Sequence, residues 1–161
     1  MRKKSDISLR TRALQCLARR EYSRAELRTK LLPHVQADDE FEQVSGSADT
    51  VNLDALLDDL VTRGWLSDER AVKQLLHAKR SRFGLQRITH ELRQRGIAEN
   101  LISDALPDLK ETEMAAAREV WQRKFGVLPQ DEKEKAKQVR FLQSRGFAMD
   151  VVFKVLRHDP D

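Results

Sequence analysis

One cysteine, six glycines, four prolines and 6% aromatic residues are all that a chain of 161 residues carries of the types that build disulfide scaffolds, turn-rich sheets and aromatic cages. A lone Cys16 closes no internal disulfide, so nothing points to an oxidising compartment. Few Gly and Pro argue against a sandwich or barrel, which needs many tight turns. No apolar run approaches the roughly 18–20 residues of a membrane-spanning helix. Met1-Arg2-Lys3-Lys4 could open a signal peptide, but Arg10, Arg12, Arg19 and Arg20 break up any apolar stretch behind it. Leu9, Ala13, Cys16 and Leu17 instead follow the spacing of a core-facing helix, so the expected address is the cytoplasm.

Site chemistry is equally thin. His34, His77, His90 and His158 are scattered, and one cysteine cannot build a cysteine-rich zinc site. Neither GxxxxGK[ST] nor GxGxxG occurs. Asp58 and Asp59 are neighbours on a helix and diverge by about 100°, a poor acid/base pair. Cys16 reads as a core residue. The expectation is a protein that is not an enzyme, with no catalytic residue, no cofactor and no metal.

What is abundant is charge, 35% of the chain, at a net of only +4. It comes in blocks. Residues 1–32 carry 10 Lys/Arg against 3 Asp/Glu, residues 33–69 carry 1 against 10, residues 70–96 carry 8 against 1, and residues 97–161 carry 11 against 12. Such blocks either form separate basic and acidic surfaces or neutralise one another within the fold.

Helical periodicity runs throughout, and one stop signal recurs: Leu60-Val61-Thr62-Arg63-Gly64-Trp65, Leu92-Arg93-Gln94-Arg95-Gly96-Ile97 and Leu142-Gln143-Ser144-Arg145-Gly146-Phe147. Glycine after the last helical residue takes the left-handed conformation without a Cβ penalty, and the apolar residue beyond it can fold back on the last turn. Arginine suits the negative end of the helix dipole. Behind the second and third signals, apolar positions coincide at 97/147, 98/148, 101/151, 102/152, 105/155 and 106/156, as in diverged copies.

The spacing predicts nine helices, over about 8–20, 24–34, 51–63, 68–82, 85–95, 98–108, 111–125, 131–145 and 148–157. Ser23-Arg24-Ala25-Glu26 reads as a capping box, and Ser67 or Asp68 as a cap. Pro33, Pro107 and Pro129 are expected at or beyond helix ends, and an acidic loop over 33–50 inside the first unit. The fold class is all-α: tandem three-helix units spanning 1–66, 67–109 and 110–161, stacked as an elongated and slightly curved array.

Arg19, Arg20, Tyr22, Arg24 and Arg28 gather at the first helical junction, and Lys79, Arg80, Arg82 and Arg87 flank Phe83-Gly84 at the next comparable one. Basic residues beside an exposed aromatic could bind phosphates and stack on bases, or meet an acidic protein surface. Alternatively, Tyr22 and Phe83 are core residues and the arginines a solvated rim.

Three motifs resemble the RecX regulatory proteins: Arg12-Ala13-Leu14-x-x-Leu17-Ala18-Arg19-Arg20-Glu21-Tyr22-Ser23-Arg24-Ala25-Glu26-Leu27-x-x-Lys30-Leu31, Leu57-x-x-Leu60-x-x-Arg63-Gly64-Trp65-Leu66-Ser67-Asp68-Glu69-Arg70 and Arg80-x-x-Phe83-Gly84-x-x-Arg87-Ile88-x-x-Glu91-Leu92-x-x-Arg95-Gly96-Ile97. The chain departs from the pattern in its long Pro33–Thr50 connection and in Leu85, where the family commonly has a second glycine. The resemblance implies a helical protein that binds the RecA filament on DNA, lodges in its groove, blocks growth or promotes loss, and lowers ATP hydrolysis, strand exchange and coprotease activity. Its implied partners are the RecA filament and possible single-stranded DNA; no membrane is expected, and the Pro33–Thr50 loop, as a candidate hinge, leaves a monomer or a repeat-swapped dimer open. The candidate partner-binding residues are Arg19, Arg20, Tyr22, Arg24, Arg28, Arg63, Lys79, Arg80, Arg82, Arg87 and Arg95. The alternative is a helical DNA-binding protein that acts without RecA.

Overall fold

The computed structural model describes residues 7–36 and 48–157. Every element among them is a helix: α1 (Leu9–Arg19), α2 (Arg24–Gln36), α3 (Ala48–Thr62), α4 (Asp68–Lys79), α5 (Leu85–Gln94), α6 (Glu99–Lys124), α7 (Glu132–Ser144) and α8 (Met149–Arg157). The predicted acidic loop shortens from both sides, because 33–36 finish α2 and 48–50 open α3; residues 37–47 lie outside the described residues, as do the first six residues and His158.

Local signals act as their chemistry dictates. The Ser23 hydroxyl accepts from the Glu26 amide at 3.0 Å while the Glu26 carboxylate accepts from the Ser23 amide at 2.9 Å, a reciprocal cap on α2. Ser67 caps α4 through the Arg70 amide; Asp68 is used elsewhere, accepting from the Arg24 amide at 2.8 Å. The three Arg-Gly signals are three identical helix ends. Gly64, Gly96 and Gly146 have φ of +73°, +73° and +85°. In each, the residue after glycine donates to the leucine carbonyl that opens the motif, at 3.0 Å from Trp65, 3.1 Å from Ile97 and 3.3 Å from Phe147. The glycine amides donate one residue further along, to Val61, Arg93 and Gln143. This pair of hydrogen bonds satisfies carbonyls that a helix end otherwise leaves orphaned.

Eight helices rather than nine follow from one departure. The helices expected over 98–108 and 111–125 are a single 26-residue helix, α6, running through Pro107. Proline forfeits one backbone bond there, at about 3 kcal/mol in a helix interior. Pro107 and Ser103, whose carbonyl loses its partner, both lie on the exposed face. On the opposite face Ile102, Ala105, Leu109, Ala116, Ala117 and Trp121 are buried in a stripe that continues past the proline and is interrupted by the buried Glu113. At about 1.5–3 kcal/mol per large apolar side chain, that stripe outweighs the proline. Pro33 likewise sits inside α2, in its last turn, where few bonds remain to be broken.

The chain divides into two compact units, Met1–Ala71 and Val72–Asp161. The first has its core between α1, α2 and α3, built from Ala13, Tyr22, Leu27, Leu31, Val35, Leu53, Leu57, Leu60 and Leu66, with Cys16 packed against it. The second has two buried clusters. Val72, Leu75, Ile88, Leu92, Ile97, Ile102, Ala105 and Leu109 lie between α4, α5 and the first half of α6. Ala116, Ala117, Trp121, Leu142, Phe147, Val151, Val152, Val155 and Leu156 lie between the second half of α6, α7 and α8. Thus α6 serves two three-helix groups, and the β-branched Val151-Val152 pair is helical because its face is buried.

Within this second unit the two groups meet backbone to backbone. The Gly84 amide donates to the Arg145 carbonyl at 2.8 Å and the Gln86 amide to the Gly146 carbonyl at 3.1 Å. A Cβ on Gly84 would stand 2.3 Å from the Gly146 carbonyl oxygen, so glycine is needed for closeness alone. Beside this joint the buried Glu113 of α6 accepts from both the Leu85 and Ala148 amides, at 3.3 and 3.1 Å, joining the starts of α5 and α8 through one carboxylate.

Candidate partner-binding surface

In the first unit the opposite charge blocks face each other. Arg24 of α2 pairs with Asp58 and, at 3.7 Å, with Asp54 of α3, while Arg28 reaches Asp54 at 3.1 Å. Arg10 of α1 and Arg63 both hold Asp59 at 2.9 Å. These hydrogen bonds, led by the one from Arg10, hold the Asp59 carboxyl below its ordinary value. Arg20 bonds Glu26 at 3.1 Å and lies 3.7 Å over the Tyr22 ring. Tyr22 itself is 6% exposed, which makes it a core residue and removes it as a platform for a base. Of the first group of candidates, Arg19 alone is exposed without a hydrogen bond or ion pair among the described residues.

The second unit is arranged differently. Lys79 and Arg95 share Glu91, each at 2.8 Å. Burial raises the Glu91 carboxyl, but the bonds and charges of Lys79 and Arg95 outweigh it and hold the group below its ordinary value. Arg93 of the same block pairs with Glu99 at 2.7 Å. No carboxylate answers the three remaining candidates among the described residues: Arg80 is exposed and unpaired, Arg82 donates only to the Ala78 carbonyl and Arg87 to the Ser144 carbonyl. Phe83, half-buried against the α4–α6 core, gathers them. Lys79 stands 5.5 Å from its ring centre, Arg82 6.0 Å, Arg87 4.2 Å and Arg145 5.3 Å.

Two features escaped the sequence reading. Arg145 joins the Phe83 group from the far side of the glycine joint; its only signal was membership in the third Arg-Gly motif. Trp65 occupies the same motif position as Ile97 and Phe147, yet it is 44% exposed where they are 6% and 1%. Leu66 fills the core in its place, and Arg10 and Arg63 flank the indole at 5.7 and 5.4 Å.

Fold and surface together define a protein of three-helix repeats whose second unit displays unneutralised arginine. Residues 67–106 match the second three-helix domain of RecX and residues 111–156 the third. The regulatory protein RecX of Leptothrix cholodnii is 46% identical over 160 residues, covering 96% of this chain and 94% of the relative. That of Chromobacterium violaceum is 42% identical over 154 residues, covering 96% and 92%. The chain belongs to the RecX family of regulatory proteins. Its fold is shared with the crystal structure of RecX from Lactobacillus salivarius, at a TM-score of 0.68 over 93% of each chain and 15% identity. No helix among the described residues is long and apolar enough to cross a membrane.

Proposed function

We propose that this chain binds the RecA recombinase filament on DNA in the cytoplasm and restrains it, lodging in the filament groove, blocking growth or promoting loss, and lowering ATP hydrolysis, strand exchange and coprotease activity. Membership of the RecX family supports this reading, and one observation carries it: Arg80, Arg82 and Arg87 lack any carboxylate partner among the described residues, whereas the first unit's Arg24, Arg28 and Arg63 are neutralised by their own acids. Surface charge that is not answered internally is available to a polyanion or an acidic protein face. The three-helix units 1–66, 67–109 and 110–161 would each make a weak contact, and linked contacts multiply.

The test reverses Arg80 and Arg82 to Glu and follows RecA ATPase on single-stranded DNA, with helicity checked by circular dichroism. Inhibition should fall at least tenfold in potency. Undiminished inhibition by the folded variant discards the assignment. Binding to RecA-coated against naked single-stranded DNA separates this reading from a DNA-binding protein that acts alone.

A further inference from the structure

We propose that the cations around Phe83 form a clamp for the phosphodiester backbone of single-stranded nucleic acid, assembled only where the two three-helix groups of the second unit are locked together. Every cationic centre lies within 6.0 Å of one ring centroid, so none is further than twice that from another. Lys79 comes from α4, Arg82 from the turn after it, Arg87 from α5 and Arg145 from the end of α7. Like charges held this close repel unless something negative sits among them. Glu91 answers Lys79 alone of the four, and Glu113 is committed to the Leu85 and Ala148 amides, so Arg82, Arg87 and Arg145 are left without a carboxylate partner among the described residues.

A pattern across the repeats supports the same conclusion. Four residues before the motif arginine stand Asp59, Glu91 and Phe141. In the first two cases that residue is a carboxylate, and it takes the arginine as an i,i+4 ion pair. In the third it is an aromatic ring, with the Arg145 guanidinium 5.3 Å from its centre and as far from Phe83. The substitution leaves Arg145 with a full charge and a fixed direction.

Phosphate fits better than an exposed base. Guanidinium groups match phosphate oxygens with paired donors. The aromatic ring, half-buried and covered by Arg87 at 4.2 Å, presents little open face for stacking. Recognition should therefore be indifferent to base identity and steeply dependent on salt. This inference deepens the reading above and rests on it for its biological setting.

The experiment measures anisotropy of labelled oligothymidylate and a mixed-sequence oligomer with the full chain, without RecA, across a salt titration. The Arg87→Gln/Arg145→Gln variant should bind at least tenfold more weakly, with its salt slope reduced by about 1.4, since each phosphate contact on a single strand contributes about 0.7. Lys133→Gln/Lys135→Gln removes equal charge from the exposed side of α7 and should bind as the parent does. Arg87→Lys/Arg145→Lys, which keeps the charge, should recover most of the slope. Parent-like binding by the glutamine variant overturns the clamp, as does a strong preference between the two oligomers. Tighter arginine-dependent binding to an acidic peptide than to DNA would overturn it in favour of a protein partner. Since RecA is absent, loss of the clamp and failure to inhibit RecA are read separately.

Discussion

Gly84→Ala probes the glycine joint without confounding backbone strain. Gly84 has φ of −81°, which alanine adopts freely, so in open space the substitution would be neutral or slightly stabilising. Here the new methyl would lie 2.3 Å from the Gly146 carbonyl oxygen and 2.4 Å from both the Gly146 carbonyl carbon and the Phe147 nitrogen. All three are backbone atoms, so no rotamer change relieves the overlap. The start of α5 and the α7–α8 turn must part by about 1 Å to restore ordinary contact. That breaks the Gly84–Arg145 and Gln86–Gly146 hydrogen bonds, at about 1 kcal/mol each, on top of about 1–3 kcal/mol for overpacking. The expected loss is about 3–5 kcal/mol. Gly146→Ala should cost more, because its φ of +85° adds left-handed strain to a 2.3 Å clash with the Arg87 Cβ. Gly126→Ala is the control: φ is +68° but the nearest atom outside its neighbours is 3.3 Å away, so about 1–2 kcal/mol is expected. Urea unfolding in a Trp65→Phe background isolates the second unit, since the only other tryptophan, Trp121, is buried there with its indole bonded to Gln138 at 2.8 Å. A Gly84→Ala midpoint equal to the parent's, or a smaller loss than Gly126→Ala shows, would refute the joint.

Glu113→Ala should destabilise the same unit by about 2–4 kcal/mol in urea unfolding, because two amides lose their acceptor; Glu113→Gln, which keeps one oxygen, should cost less than half as much. Glu91 gives a pH signature. Its carboxyl is held below the ordinary 4.5, so its contribution is complete above that value and is lost as pH falls through the lower folded value. Melting of the parent and of Glu91→Gln should therefore differ at neutral pH and converge in acid; a gap independent of pH would contradict the ion pairs. Phe147→Ala should cost about 3–5 kcal/mol while Trp65→Ala, at the equivalent motif position, costs about 1 kcal/mol or less, as thermal melts would show.

What the sequence disclosed and what it hid follow from the range of the forces involved. The capping box at Ser23–Glu26 and the three Arg-Gly helix ends involve residues within one turn of each other, so their bonds could be read directly. The alignment of 97–106 with 147–156 foretold buried Ile102, Ala105, Val152 and Val155 because helical spacing fixes which residues share a face. Pro107 misled, since a proline marks a helix end only if no buried stripe continues past it. The neutralisation of Arg24 and Arg28 by Asp54 and Asp58 was open between two readings until α3 was seen against α2. Tyr22 and Trp65 show the same limit for aromatics: spacing says that a ring is near the core, whereas its actual burial depends on which neighbour, here Leu66, fills the space first.

The recurring helix end also explains why charge separates by repeat. Its geometry demands only the glycine, the leucine and the two backbone bonds, and these are the same in all three copies. The side chain of the arginine before glycine takes no part in these bonds and is free to vary in what it meets. With Asp59 or Glu91 one turn earlier it closes a local ion pair, of small net worth where exposed. With Phe141 there it keeps its charge and turns to an aromatic from another repeat. A single side-chain exchange on an unchanged scaffold thus moves an arginine from a local ion pair to a place between two rings. Surface chemistry in such a fold can diverge from repeat to repeat without any cost to the helix ends that hold it together.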